Sequence, residues 1–296
     1  MPLLWLLIGV LSCSTSVIWV KFSTVDPVLL TGMRLAIAAL LLSPFAWRDW
    51  RKHRAEMSWS HLRDSAIPGV VLAAHFSLWM IAARMTLASH GVLIVNLTPL
   101  VTPFLLAITV GERINRRELL ATLLAGVGLG VLFASDYRLS AEHFRGDLLC
   151  LCAMGLLALY LVLGRKFRHH PTNLLYVAPM YGVASLAAFA TAPWLADPAP
   201  IDWRAETPWI LLIVLLPTIL GHSLLNQSMR HFRGQVVSLV NMLQFVSAGL
   251  LAWWTLGEQP SSEFYFAALL IVAAGVIVVR PPGKPDGPPG EAPIAD

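Results

Sequence analysis

Charge is what this 296-residue chain has least of: 13% of its residues are Asp, Glu, Lys or Arg, about half the share found in a soluble globular domain. With 57% hydrophobic residues and a mean hydropathy of +0.68, it lacks the polar coat that water requires. Cysteine is scarce as well. Cys13, Cys150 and Cys152 all fall in apolar stretches, an odd number with none in a loop, which argues against a disulfide framework. Cys150 and Cys152 stand two apart, so a helix points them to different faces and they make a poor metal pair. All three read as small apolar filler. Missing too are HExxH, a DxxxD pair at the end of an apolar run, a Cys/His ligand set, G-x-S-x-G and a P-loop with its lysine. These absences speak against an ATP-driven pump. They also speak against the alternative of an integral membrane lipid-modifying enzyme, which needs clustered carboxylates or histidines at the membrane face. No cofactor, metal or nucleic-acid partner is implied.

What the chain does have is a series of apolar runs of about 17–25 residues, the length with which a helix crosses the hydrocarbon of a bilayer. Ten spans fit, at 2–20, 27–47, 66–83, 91–111, 119–135, 147–164, 174–195, 208–229, 235–257 and 264–279. The first run has no positive n-region, and Lys21 follows the apolar stretch rather than preceding it. It therefore reads as a membrane helix and not as a cleaved signal. Residues 281–296, rich in proline and glycine, read as a disordered cytoplasmic tail. With the N-terminus inside, fifteen of the 21 Lys and Arg residues fall in inside segments and five outside, so both termini are expected in the cytoplasm. The inside loop 48–64, with its tryptophans and basic residues, is expected to lie in the interface near anionic headgroups, which makes membrane lipids a partner. The outer loop 197–208 reads as a connection without chemistry.

Residues 89–135 form two apolar runs separated by Gly111-Glu112-Arg113, and 235–280 repeat that design around Gly257-Glu258. The two Gly-Glu pairs are 146 residues apart, as are Arg84 and Arg230. The chain thus divides into a first repeat, 1–136, and a second, 146–280, of five spans each. An odd number of spans per half makes the second half enter the membrane upside down. Two inverted five-helix repeats are a construction principle of secondary transporters. An enzyme, channel or scaffold has no comparable need for them.

Polar groups in hydrocarbon are costly and usually face a cavity or a partner. None of the seventeen acidic residues lies near a span centre, which argues against a buried-carboxylate proton relay. His75 and His222 are the two histidines inside spans, 147 residues apart and so one residue beyond the repeat offset. Trp79 and Asn226 follow them by four and share their helix faces. The pair either binds cargo and exchanges protons near neutral pH or serves as hydrogen-bonding glue between helices.

Asn96 and Thr98 precede Pro99 and Pro103, prolines that free carbonyls and let a helix bend. Asn241 and Gln244 occupy the matching region of the second half. Uncharged amides there suit a zwitterionic or polar-amphipathic solute, helix–helix bonding being the other reading. Phe245 and Gly249 stand where the second half would match the two prolines, so the first-half helix is the expected bending element. Tyr160 and Tyr181 can stack on an aromatic or cationic cargo, while Trp5 and Trp19 read as interface anchors. Ser12, Ser14, Thr15 and Ser16 are expected to let helices approach closely. Arg34 lies roughly 10 Å inside the outer end of span two. It either attracts a substrate carboxylate or, the preferred reading, snorkels outward or bonds a neighbour's carbonyls. Glu112 and Glu258 read as structural hinge residues that cap or pair with arginines.

Taken together these residues resemble EamA-type transporters of the drug/metabolite transporter superfamily. In the first half the resemblance rests on Trp19-Val20-Lys21, Arg34, Pro99, Gly111-Glu112-Arg113, Gly126 and Gly130. In the second it rests on Gly146-Asp147, Tyr160, Arg165-Lys166, Asn226 and Gly257-Glu258. It covers residues 3–280. The resemblance implies a basket of ten helices around a cavity lined mainly by spans 1, 3, 4, 6, 8 and 9. Spans 5 and 10 would stand at the periphery, where a homodimer contact can form. It also implies export or exchange of an amino acid, related metabolite or amphipathic compound across the inner (plasma) membrane.

Overall fold

The computed structural model describes residues 1–135, 141–197 and 199–279. The expected tail, 281–296, and the far limits expected for the two repeats, 136 and 280, lie outside the described residues. Among the described residues the regular elements are helical, in ten rods. The first half holds α1 (Pro2–Ser14 and Ser16–Phe22), α2 (Pro27–His53), α3 (Trp59–Met85), α4 (Ala88–Val95 and Thr98–Thr109) and α5 (Arg116–Ser135). The second holds α6 (Ala141–Lys166), α7 (Asn173–Leu195), α8 (Trp203–Met229), α9 (Gly234–Asn241 and Leu243–Leu256) and α10 (Ser262–Val279). Among the described residues nine stretches are long and apolar enough to cross a membrane. The helix α5 opens on Arg116, Arg117 and Glu118 before its apolar run.

Local sequence sets the helix ends. Asp26 caps α2 by accepting from Val28 and Leu29 N–H at 2.8 and 3.1 Å, with Pro27 in the first turn, where its missing N–H costs nothing. Asp202 and Thr172 do the same for α8 and α7. At the other ends of α4 and α9, Gly111 (φ 73°) and Gly257 (φ 72°) adopt the left-handed conformation. Glu112 N–H then reaches back to Leu106 O and Glu258 N–H to Ala252 O, which closes two matched helix ends around a left-handed glycine. A side chain larger than hydrogen would be strained at either glycine.

Two expectations are corrected by the helices themselves. Residues 48–64 are not a long interfacial loop: α2 runs on to His53 and α3 starts at Trp59. A span counted by hydropathy stops at the first charges, but Arg51, Lys52 and His53 complement the dipole of a helix C-terminus and prolong it. Nor is helix interruption confined to the half that carries the prolines. In α4 the ladder tightens through Leu97 N–H to Ile94 O and Leu100 N–H to Leu97 O. In α9 it does the same through Met242 N–H to Leu239 O and Phe245 N–H to Met242 O. Every atom pair matches at an offset of 145 residues.

The packing carries the repeat into three dimensions. α2 lies on α7, α4 on α9 and α5 on α10, each helix against its counterpart from the other half. The pair α3–α6 is answered by α8–α1, and α3–α7 by α8–α2. Such exchange is what a two-fold relation between halves produces. Counterparts run antiparallel: Asp26 meets Asp197 while Gly32 meets Ser185, and Asn96 meets Asn241 while Pro99 meets Gln235. Leucine, phenylalanine and tryptophan cover the outside, with Leu40, Phe104, Ile108, Trp254 and Leu269 exposed, a surface suited to lipid chains rather than water.

Candidate functional site

Where α1, α3, α4, α6, α8 and α9 converge they surround a small cavity on which Ser14, Ser16, His75, Asn96, His222 and Gln244 present polar side chains. Five residues expected on a substrate pathway line it: His75, Trp79, Asn96, His222 and Gln244. The imidazoles of His75 and His222 stand 6.5 Å apart between ring centroids. His75 Nδ1–H donates to Ala153 O at 2.8 Å, which fixes its ring against α6. His222 is held by rings instead. Phe76 meets it edge-on at 4.7 Å and Tyr160 at 5.6 Å, and its Nδ1 has no hydrogen-bond partner.

The remaining expected residues lie one layer back. Asn226 donates to Tyr160 Oη and, at 2.8 Å, to His222 O, so Tyr160 is occupied as an acceptor rather than bare for stacking. Asn241 bridges the two halves, donating to Asn96 Oδ1 at 3.3 Å and accepting from Gln244. Thr98 and Thr102 meet Ser238 at 3.2 and 3.1 Å. Thr98 therefore sits in the α4–α9 contact and not on the cavity wall. The six polar side chains of this seam come from both halves, and they fasten together the two helices whose ladders are interrupted.

Pro99 opens the second segment of α4 and Pro103 lies within it. Glu112 and Glu258 lie at opposite ends of the bundle. Glu112 accepts from Arg165 Nε at 3.0 Å and from Gly234 N–H at 3.0 Å. Glu258 accepts from Ala88 N–H at 3.2 Å and stands 4.0 Å from Lys21 Nζ.

Arg34 does not snorkel. Its side chain is 0% exposed, its Nε donates to Thr218 Oγ1 at 2.9 Å, and its guanidinium lies 3.9 Å over the Phe76 ring. The reason is α8, which widens into a π-helical stretch from Val214 to His222. That stretch contains Pro217, which cannot donate to the ladder, and π-bulges of this kind gather at functional sites. Thr218 Oγ1 also donates to Ile213 O five residues back, which turns its lone pair toward Arg34. Tyr181, expected to stack, instead donates to Thr218 O or shares a bond with Ser223, both at 3.0 Å.

Phe76 and Leu157 line the cavity and Thr218 stands beside it without any mark in the sequence, and Cys13, Ser14 and Ser16, expected to pack, line the cavity as well. The signal for the serines was the run Ser12 to Ser16 itself, at which α1 breaks at Thr15. The buried Glu206, placed in a loop without chemistry, ties α8 to Ser23 and Thr24 with three bonds of 2.7–2.9 Å.

The cavity holds about 40 Å³. At roughly 10–15 Å³ for each enclosed water, that is room for a few waters and not for an amino acid. Two larger cavities, of about 410 and 430 Å³, open between α4, α5 and α6 and beside α2, α3 and α7. Their walls are almost wholly apolar, and Asp147, the charged group on them, is engaged by Thr86 Oγ1 at 2.8 Å. Convergent polar groups rather than volume mark the site.

Comparison with known proteins agrees with the geometry. No curated protein matches the chain. A protein crystal structure is similar to it at a TM-score of 0.71 and 19% identity, over 94% of this chain and 97% of that one, a likeness of fold. The model of the EamA-like transporter family matches residues 1–134 and again 144–280. Helices of spanning length, two inverted halves and this double match lead to one conclusion: the chain is a multi-pass integral membrane protein that belongs to the EamA-like transporter family.

Proposed function

We propose that the protein is a secondary transporter, not an enzyme, and that it moves a small metabolite or amphipathic compound by alternating access through the central cavity. In this reading all ten rods span the inner (plasma) membrane, with both termini in the cytoplasm and Glu112 on that side. The cargo meets His75, His222, Trp79 and the amides of Asn96 and Gln244, with Asn241 behind them holding the two amides. The observation that supports the reading is the small cavity with polar side chains from both antiparallel halves on its wall, with an equivalent glutamate clasp at each end. Inverted halves can exchange shapes, and exchanging shapes exchanges the open side. The cavity is too small for cargo, so an opening must precede binding.

Spin labels across the two ends test this in reconstituted vesicles, one pair spanning Leu87 and Gln259 and the other Ile114 and Phe232. Two populations are expected, in which one pair lengthens while the other stays short. Distances that lengthen together, or a single fixed pair of distances under every condition, would sink alternating access.

A further inference from the structure

Arg34 is the one Lys or Arg with 0% exposure among the described residues. A guanidinium carries five N–H donors. One of them is used, on Thr218, while Nη1 and Nη2 have no hydrogen-bond partner. No carboxylate pairs with Arg34 among the described residues. A buried charge without a counter-charge is costly inside a membrane protein, and nothing about helix packing demands it. The repeat offset carries position 34 to Met180, which fills the matching place in α7 at 0% exposure. One half makes do with an apolar side chain where the other buries a cation.

The charge also stands beside the cavity. Phe76 has the guanidinium on its face at 3.9 Å and His222 against it at 4.7 Å, and Phe76 lines the cavity. One aromatic ring separates the unpaired nitrogens from the space that cargo enters. We propose that Arg34 is the anion-binding residue of the cargo site, receiving a carboxylate or phosphate group of the solute on Nη1 and Nη2 once the Phe76 ring swings aside. Such forked bonds are the strong, directional kind that arginine makes with planar or tetrahedral anions. The inference rests on the transporter reading and narrows it to solutes with an anionic group.

The test uses four compounds on one carbon skeleton, butanoate, butyl phosphate, butanamide and butylamine, each added to the purified protein at equal ionic strength while its melting temperature is followed. A ligand that binds the folded form raises that temperature. Butanoate or butyl phosphate should raise it, the larger shift naming the anion, while the amide and the amine should not. Arg34→Met should melt no lower than the parent without ligand, yet lose the anion response by about tenfold or more in apparent affinity, the worth of a charged hydrogen bond. Arg34→Lys should keep part of the response. A response equal for the amide or amine, a full anion response in Arg34→Met, or no response to any of the four would overturn the assignment.

Flux of the stabilising anion into vesicles separates this proposal from the one beneath it. Binding without flux would sink transport and leave the anion site standing. Flux unchanged in Arg34→Met would sink the anion site and leave transport standing.

Discussion

Glu112 and Glu258 each accept the backbone N–H that opens the fourth helix of the opposite half, Glu112 from Gly234 at 3.0 Å and Glu258 from Ala88 at 3.2 Å. Acceptors and donors are both 146 residues apart. A carboxylate at a helix N-terminus satisfies an orphan donor and meets the positive end of the dipole. Each glutamate follows a left-handed glycine that turns it out of its own helix. The Gly-Glu pair is therefore a clasp between halves at each end of the cavity.

Removing Glu112 should be costly. Its side chain and that of Arg165 are 10% and 11% exposed, so Glu112→Ala strands a nearly buried guanidinium. Breaking such a pair costs about 3–5 kcal/mol. Glu112→Gln keeps an oxygen for Gly234 N–H and should be milder. Thermal melting of the two variants in detergent checks the order, and equal melting temperatures for Ala and Gln would remove the charge from the argument.

The two cavity histidines should separate folding from transport in different proportions. His75→Ala removes the side-chain bond that Ala153 O accepts beside its own helical N–H, a loss of about 0.5–1.5 kcal/mol. His222→Ala strands no partner, since its Nδ1 makes no bond. Both variants should lower substrate flux in vesicles more than they lower folded yield, with His222→Ala the better folded of the two. Undiminished flux in both would take the histidines off the pathway.

Much of this architecture is written locally. Apolar runs, the Gly-Glu spacing and the 75/222 near-coincidence can each be read along one strand of text, because helix length and repeat offset are one-dimensional quantities. The interruption of α9 is not. No proline or glycine marks Met242. The helix tightens there where Asn241 turns to meet Asn96, a partner 145 residues away. Arg34 was misplaced for a related reason. Depth in a span says how far a guanidinium must reach for water, but not that a π-helical turn of α8 would offer Thr218 inside. Phe76 carries no signal at all as an apolar residue in an apolar run, and only its position between Arg34 and His222 gives it meaning.

Close approach of α3 and α7 depends on Gly69. A Cβ placed there would stand 2.7 Å from Met180 O and 3.1 Å from Val183 Cβ, and a backbone carbonyl cannot yield as a flexible side chain can. Gly69→Ala should force the helices apart and cost about 1–3 kcal/mol. Gly155→Ala on α6 meets nothing within 4 Å and should be neutral or stabilising, because alanine is the better helix former by about 1 kcal/mol. Melting temperatures that fall alike in both variants would show that contact is not the cause.

Acid should loosen the turn between α6 and α7 through His170. Its ring is buried against Tyr176, with Nδ1 2.8 Å from Phe167 O and Nε2 3.0 Å from His61 O and 3.3 Å from Ser65 Oγ. His61 and His169 stand beside it at 5.1 and 5.2 Å, and Asp64 is 3.4 Å from His169. Burial pushes the His170 pKa below its ordinary value, outweighing the two carbonyls that pull it up. The unfolded chain, with an ordinary pKa of about 6.5, then takes the proton more readily than the folded one. The stability His170 contributes is complete above about pH 6.5 and declines as the pH falls below it. The melting temperature of the parent should drop between pH 7.5 and 5.5 more than that of His170→Gln, so that the gap between the two proteins narrows in acid. A gap that holds constant or widens would place the proton elsewhere.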